Sequence, residues 1–268
     1  MAIDLDAIRN RLDSLQTKVT KTDNLWKPKP GKQQVRIVPY VHNPSNPFIE
    51  LFFHYNFGGK NILSPQTYGE ADPLAEFADQ LKSTGDSNDW NLSKQLSPKM
   101  RTYVPVIVRG EESEGIKFWG FGKTVYQELL AFFADPDYGD LTDPINGRDI
   151  TVEFKTAKEL GKTYPETYIR VKPTQTPISE ENNVLAIIKD QIELQGMFKK
   201  YDYDEMKGLL ETWMETGKVG EDDESETQPT QTESPFTGDT PQTSVPQASA
   251  ASSKVANVKD AFDDLFNN

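Results

Sequence analysis

Residues 101–123 read RTYVPVIVRGEESEGIKFWGFGK, and this stretch decides the fold. Val104, Val106 and Val108 alternate with Arg101, Tyr103 and Arg109, the period of a strand on which residues i and i+2 share a face. A turn signal from Gly110 to Gly115, holding Glu111, Glu112 and Glu114, interrupts the run, and Ile116–Gly122 resumes it as a further strand. Further β-branched and aromatic runs lie outward on both sides, at 34–40 (QVRIVPY), 48–57 (FIELFFHYNF), 149–155 (DITVEFK) and 167–172 (TYIRVK). Two helices break the series. One opens at Asp72-Pro73, a capping residue followed by Pro at the first helical position, and buries Leu74, Phe77, Ala78 and Leu81. The other begins near Thr124. After Pro177 the chain turns helical over 179–195 and 203–216, the latter with Tyr203, Met206, Leu210 and Trp213 on one side. Short strands with an inserted helix predict a mainly β protein built on a small barrel.

The flanks differ from this middle. Leu5, Ile8, Leu12, Leu15 and Val19 form one apolar stripe at helical spacing, so residues 1–25 read as a helical arm, packed on its own domain or docked on a neighbouring copy. Thr20–Pro30 reads as a linker. At the other end, residues 221–268 hold ten acidic and two basic side chains, a net −8 of the chain's −13, among Pro, Ser, Thr and Gln. Such a segment buries too little to offset its ordering entropy and is expected to be disordered. The folded core is therefore placed at 26–220. The tail closes on VKDAFDDLFNN, in which Val258, Ala261, Phe262, Leu265 and Phe266 recur at helical spacing. Phe262, Asp263, Asp264, Leu265 and Phe266 are the candidate residues of a peptide that folds on a partner groove.

Several chemistries are excluded or left without a motif. The chain has no cysteine and two histidines, His42 and His54, so disulfides, thiolate nucleophiles and thiolate metal sites are out. There is no GxSxG, P-loop, dinucleotide turn or HExxH, and Asp135, Asp137, Asp140 and Asp143 read as a solvated turn; no enzyme is indicated and no cofactor implied. No apolar run approaches the ~20 residues of a membrane span, and the first residues have no basic and apolar signal pattern, so a cytoplasmic location is expected.

Charge is segregated within the core. Between residues 94 and 123 the bases are Lys94, Lys99, Arg101, Arg109, Lys117 and Lys123, while the acids are confined to the turn at Glu111, Glu112 and Glu114. Lys117, Trp119, Phe121 and Lys123 share one strand face against Ile116 and Phe118. Tyr168, Arg170 and Lys172 share another against Ile169 and Val171, with Tyr164 in the preceding loop and Lys155, Lys158 and Lys162 nearby. Aromatic rings stack on unpaired bases and cations meet phosphates, so this interleaving suits a single-stranded nucleic acid read without sequence preference. Aromatic and basic side chains also occur on ordinary exposed sheet faces, and Trp119 also suits a core.

Several of these stretches resemble the single-stranded DNA-binding proteins of T-even-type bacteriophages and their marine and cyanobacterial phage relatives. They are VRIVP (Val35–Pro39), the Leu51–Phe77 segment with FHYNF, ILSP and YGEADPLAEF, RTYVPVIVR (Arg101–Arg109), KFWGFGKTVY (Lys117–Tyr126) and the ending DAFDDLF. The resemblance implies an OB-fold barrel core with a small inserted helical subdomain, a helical N-terminal arm, C-terminal helices and a disordered acidic tail. It implies cooperative coating of single-stranded DNA in replication, recombination and repair inside the infected bacterial host. It also implies a tail that recruits replication and recombination proteins and competes with DNA for the basic groove. By position, Arg36, Tyr103, Trp119, Phe121, Lys123 and Tyr164 would line that groove, with Lys99 and Arg101 at its rim; Tyr68 lies in a loop whose length departs from the family's. Lys117 and Arg170 join the candidate DNA-binding set from their strand faces. The family's subdomain holds zinc on one His and three Cys. Here those positions are His54, Ser64, Asp72 and Ala75, so a zinc-free subdomain held by Leu63, Leu74, Phe77 and Leu81 is expected. The family's basic Lys-Arg-Lys-Ser-Thr element near the N-terminus is also missing. The competing reading is a tail-tethered protein–protein interaction module with no nucleic-acid affinity.

Overall fold

A computed structural model describes residues 24–179, 184–189, 191–217, 261–263, 265 and 266. The expected N-terminal helix and most of the acidic tail lie outside the described residues. In chain order the elements are β1 (Leu25–Trp26), β2 (Gly31–Ile37), β3 (Ile49–Phe57), β4 (Lys60–Leu63), α1 (Pro73–Ser83) and α2 (Ser87–Leu96). There follow β5 (Lys99–Val108), β6 (Lys117–Phe121), α3 (Lys123–Ala134), β7 (Arg148–Lys155), α4 (Ala157–Leu160), β8 (Glu166–Gln175), α5 (Val184–Lys189) and α6 (Tyr203–Thr216). The strands form one mixed sheet in the order β1-β6-β5-β2-β7-β8, with β3 paired to β5 and β4. The path stays open, a mainly β arrangement compatible with the partly open OB-fold core.

β5 is the hub. Tyr103 pairs with Ile49 of β3 across one edge and with Gly120 of β6 across the other, and further along Val106 pairs with Ile37 of β2 and with Lys117. Its even-numbered residues, Val104, Val106 and Val108, enter the main core with Val35, Ile37, Ile150 and Val152, capped by Val125 and Leu129 of α3. Its odd-numbered residues are also covered: Tyr103 packs with Ile49, Leu51, Phe118, Leu194 and Met197, and Ile107 with Val38, Ile178 and Ile188. Two expectations change here. Leu25 and Trp26 are not linker, because they pair in parallel with Phe118 and Trp119, and Trp26 is buried edge-on to Trp119 at 5.6 Å. The helix expected over 179–195 reduces, among the described residues, to Val184–Lys189. Residues 191–194 leave it, and Leu194 and Met197 fill the second face of the sheet.

The inserted subdomain is a second core in which Phe57, Ile62, Leu74, Phe77, Leu81 and Leu96 pack under Met206 and Leu210 of α6; Leu63 turns instead toward the Tyr103 cluster. The Gly58-Gly59 turn, both residues at positive φ, reverses the chain between β3 and β4. At the junction of the two cores, His54 and Asp72 are both fully buried and 2.8 Å apart. Asp72 has two tasks. Its Oδ1 accepts from the N–H groups of Leu74 and Ala75 and caps α1, and its Oδ2 accepts from His54 Nε2 and the Ser64 hydroxyl. His54 Nδ1 faces the Leu96 carbonyl at 2.6 Å, so both ring nitrogens are engaged. Burial works against the Asp72 charge, but the His54 hydrogen bond and charge, with Ser64 and Ala75, outweigh it and hold the carboxyl below its ordinary 3.8.

A carboxyl lowered in the folded state stabilises above its unfolded pKa, and that contribution is lost as pH falls through the folded value. Breaking a buried pair by removing one partner costs about 3–5 kcal/mol. Asp72→Ala is therefore expected to lower the melting temperature sharply at pH 6 and to lack the share of acid destabilisation that wild type acquires below about pH 4. A variant that melts like wild type at pH 6 contradicts this role.

Candidate nucleic-acid interface

Strand register decides which of the expected residues reach solvent. In β6 the pairs Val104–Trp119 and Thr102–Phe121 put both rings on the valine side of the sheet, because directly opposed residues share a face. Trp119 is 1% exposed and Phe121 4%, and the two rings pack against each other at 4.7 Å. Neither offers a face to a base, so their expected place in the groove is corrected: they are core. Phe118, on the opposite side, is also buried. Lys117 pairs with Glu114 in the turn, and Lys123 is exposed on the first turn of α3 rather than on the strand.

Arg36 is corrected in the same way. It is fully buried, its Nε donates to Asp149 at 3.0 Å, and its Nη2 donates to both oxygens of Thr176 at 2.6 Å. Arg109 shares the same carboxylate and donates to the carbonyls of Pro177 and Ile178. Burial, aggravated by Arg109 and only partly offset by Asp149, pushes the Arg36 guanidinium below its ordinary value. Two guanidiniums on Asp149 thus pin β2, β5 and β7 to the segment leaving β8; this site is structural.

Two surfaces remain. On β3 and β5, Arg101 bonds the Gly120 carbonyl at 2.7 Å and the hydroxyls of Tyr55 and Tyr103. Burial pushes both phenols above their ordinary value while Arg101 opposes it. Tyr103 is 7% exposed, whereas Tyr55, Lys99 and Arg101 are half-buried. Tyr68 stands at the edge of this cluster with Lys200 over its ring, 4.5 Å from the centroid. The second surface is the outward face of β2, β7 and β8. The register sets Lys32 beside Glu153 and Tyr168, and Gln34 beside Thr151 and Arg170. Tyr168 is 39% exposed, Arg170 is exposed, and both line a shallow cleft of about 160 Å³ with Lys32, Thr151 and Glu153. Lys155 lies 5.3 Å from the Tyr168 ring centroid, and Lys172 bonds Gln34 at 2.7 Å. Tyr164 is half-buried in the loop before β8. Of the sequence candidates, Arg170 with Tyr168 is therefore the best-presented aromatic and basic pair. Lys32, Tyr55 and Lys200 were not among the candidates. Lys32 had a signal, since it alternates with Gln34 on β2; Lys200 is brought to Tyr68 only by the return of the chain after α5.

The residues at the zinc positions do not fit that metal. A structural zinc takes four nitrogen or thiolate donors in a tetrahedron. Here one imidazole, one carboxylate and one hydroxyl are bonded to each other, and Ala75 supplies no side-chain donor. Among the described residues no group of three or more His, Cys, Asp or Glu could hold a metal ion. The Asp135–Asp143 loop spends its carboxylates on local turns, Asp140 accepting from Thr142 and Asp143 from Ile145 and Asn146.

Gly120 is held small by the Tyr103 ring. A Cβ there would meet Tyr103 Cε1 at 2.5 Å and Arg101 Nε at 3.1 Å. Gly120→Ala should displace the ring and destabilise the fold by about 1–3 kcal/mol, the range for overpacking, measurable by chemical denaturation. Unchanged stability contradicts this packing.

No curated protein matches the chain. The family described as "gp32 DNA binding protein like" matches residues 29–244, from β2 through α6 and into the acidic segment. The resemblance carried by VRIVP, RTYVPVIVR and KFWGFGKTVY thus extends over most of the chain, which belongs to the gp32-like DNA-binding protein family.

Proposed function

We propose that this chain binds single-stranded DNA without sequence preference, coating and protecting it in phage replication, recombination and repair in the cytoplasm of the infected host. Membership of a DNA-binding family supports the ligand class. The exposed pairing of Tyr168 with Arg170, flanked by Lys32 and Lys155, is the observation that supports the surface. A ring open to solvent stacks on a base and the cations beside it take phosphates, with a salt-dependent affinity. Arg101, Lys99, Tyr164, Lys117 and Lys123 are proposed to extend the track; Tyr103, buried among Ile49, Phe118 and Leu194, is core like Trp119 and Phe121. The proposed activity is binding alone, with no catalytic step and no cofactor, and the helical subdomain is proposed to fold without zinc on the His54–Asp72–Ser64 network. The arm at 1–25 is assigned self-association along the strand, residues 26–220 the binding core, and the tail at 221–268 recruitment of replication and recombination proteins.

Anisotropy titrations of labelled dT oligonucleotide and of duplex test this. Wild type should prefer the single strand and weaken as salt rises. Tyr168→Ala should cost about 1–3 kcal/mol of binding with an unchanged melting temperature. Trp119→Ala should instead lose about 3–5 kcal/mol of folding stability, as buried aromatic truncations do. A chelator should leave the wild-type melt unchanged. Equal affinity for duplex, or a folded Tyr168→Ala protein with wild-type affinity, contradicts the assignment; no affinity for either DNA leaves the protein-only interaction module.

A further inference from the structure

The groove of the inserted subdomain is already filled. Residues 261–263, 265 and 266 are helical and lie against α1 and α6. Ala261 is 6% exposed and Phe262 4%, within the cluster of Phe77, Ala78, Met206 and Leu210. The Phe262 ring meets Phe77 edge-on at 6.1 Å and Phe266 at 4.7 Å. Phe262 and Phe266, four residues apart, share one helix face. Lys207 of α6 lies over both rings, 6.0 Å from the Phe262 centroid and 4.9 Å from that of Phe266. Leu265 packs beside them, and Asp264 lies outside the described residues.

The chemistry of the groove says what holds the peptide. α6 carries Asp204, Glu205, Glu211 and Glu215 beside its single Lys207, and α1 carries Glu76 and Asp79 with one base, Lys82, which is paired to Asp79. An acidic peptide gains little from such walls by long-range attraction. Its attachment comes from burying Phe262 and from the cation over the rings. This is a different site from the Tyr168–Arg170 face, and it binds by a different force from the electrostatic competition expected of an acidic tail.

We propose that the groove between α1 and α6 is a peptide-binding site whose occupant is the chain's own segment 261–266, anchored by Phe262. A segment on its own tether has a high effective concentration at a site within reach, so the groove is self-filled. An acidic-aromatic peptide of the same pattern enters only when that segment leaves. A protein that takes hold of Phe262 must likewise draw it out of the groove; this last consequence rests on the partner-recruiting role proposed for the tail.

The test uses the full chain and a labelled peptide of residues 258–268, VKDAFDDLFNN, with no DNA present, so its outcome is independent of the DNA-binding proposal. Phe262→Ala in the chain removes the anchor from the groove, and an unchanged far-UV circular dichroism spectrum of the variant checks that α1 and α6 stay folded. That variant should bind the labelled peptide at least tenfold more tightly than wild type. Adding Lys207→Glu, which removes the cation and leaves the buried core intact, should reverse most of the gain. Because the anchor is apolar, binding should persist in high salt, where charge pairing is screened. Three results overturn the proposal: no gain in the Phe262→Ala chain, equal uptake of a peptide whose own Phe262 is replaced by Ala, or binding abolished by salt.

Discussion

From Thr102 to Val108 β5 is buried on both faces, and the architecture follows from that. One edge is taken by β6 and the other is divided between β3 and β2. Its valines meet α3 and the β2–β7 layer, while Tyr103 and Ile107 are covered by segments that return after β8. A strand enclosed in this way fixes the register of three neighbours at once, and a one-residue slip would turn each buried row outward. The best-exposed aromatic and basic pair, Tyr168 and Arg170, therefore lies away from the hub, on β8 at the edge of the sheet.

Two buried polar nodes hold the parts around this hub. Asp149 collects Arg36 and Arg109 and ties the segment leaving β8 to the sheet. Asp72 collects His54, Ser64 and the first turn of α1 and joins the subdomain to β3. Each is a charged group with its partners supplied, the condition under which burial is tolerated. The subdomain is held by these hydrogen bonds and by the Phe77–Leu210 core. The C-terminal peptide then closes that core from outside, since Phe262 completes the cluster that α1 and α6 begin.

The alternation at 101–109 and 116–122 was legible, as were the Asp72 cap, the helix at 203–216 and the basic-aromatic pattern of Tyr168, Arg170 and Lys172. What alternation alone leaves open is which of two faces is wet. Trp119 and Phe121 alternate as a binding face would, yet their register with Thr102 and Val104 turns them to the core. Arg36 enters the groove set only by its position in the resemblance, and its partner, Asp149, lies 113 residues away along the chain. Leu194 and Met197 cover Tyr103 from a similar distance along the chain. Phe262 reads as a hook for other proteins, and its fit to Phe77 becomes visible only when both helices are in place.

The central claim is that DNA lies on the outward face of β2, β7 and β8. Photocrosslinking of full-length protein to an oligonucleotide carrying 5-bromodeoxyuridine, followed by mass spectrometry of the adduct, tests it directly. The account predicts adducts on Tyr168 and its neighbours on β7 and β8, with loss of the main adduct in Tyr168→Ala. Adducts confined to the helical subdomain, for example on exposed Trp90 of α2, would contradict it.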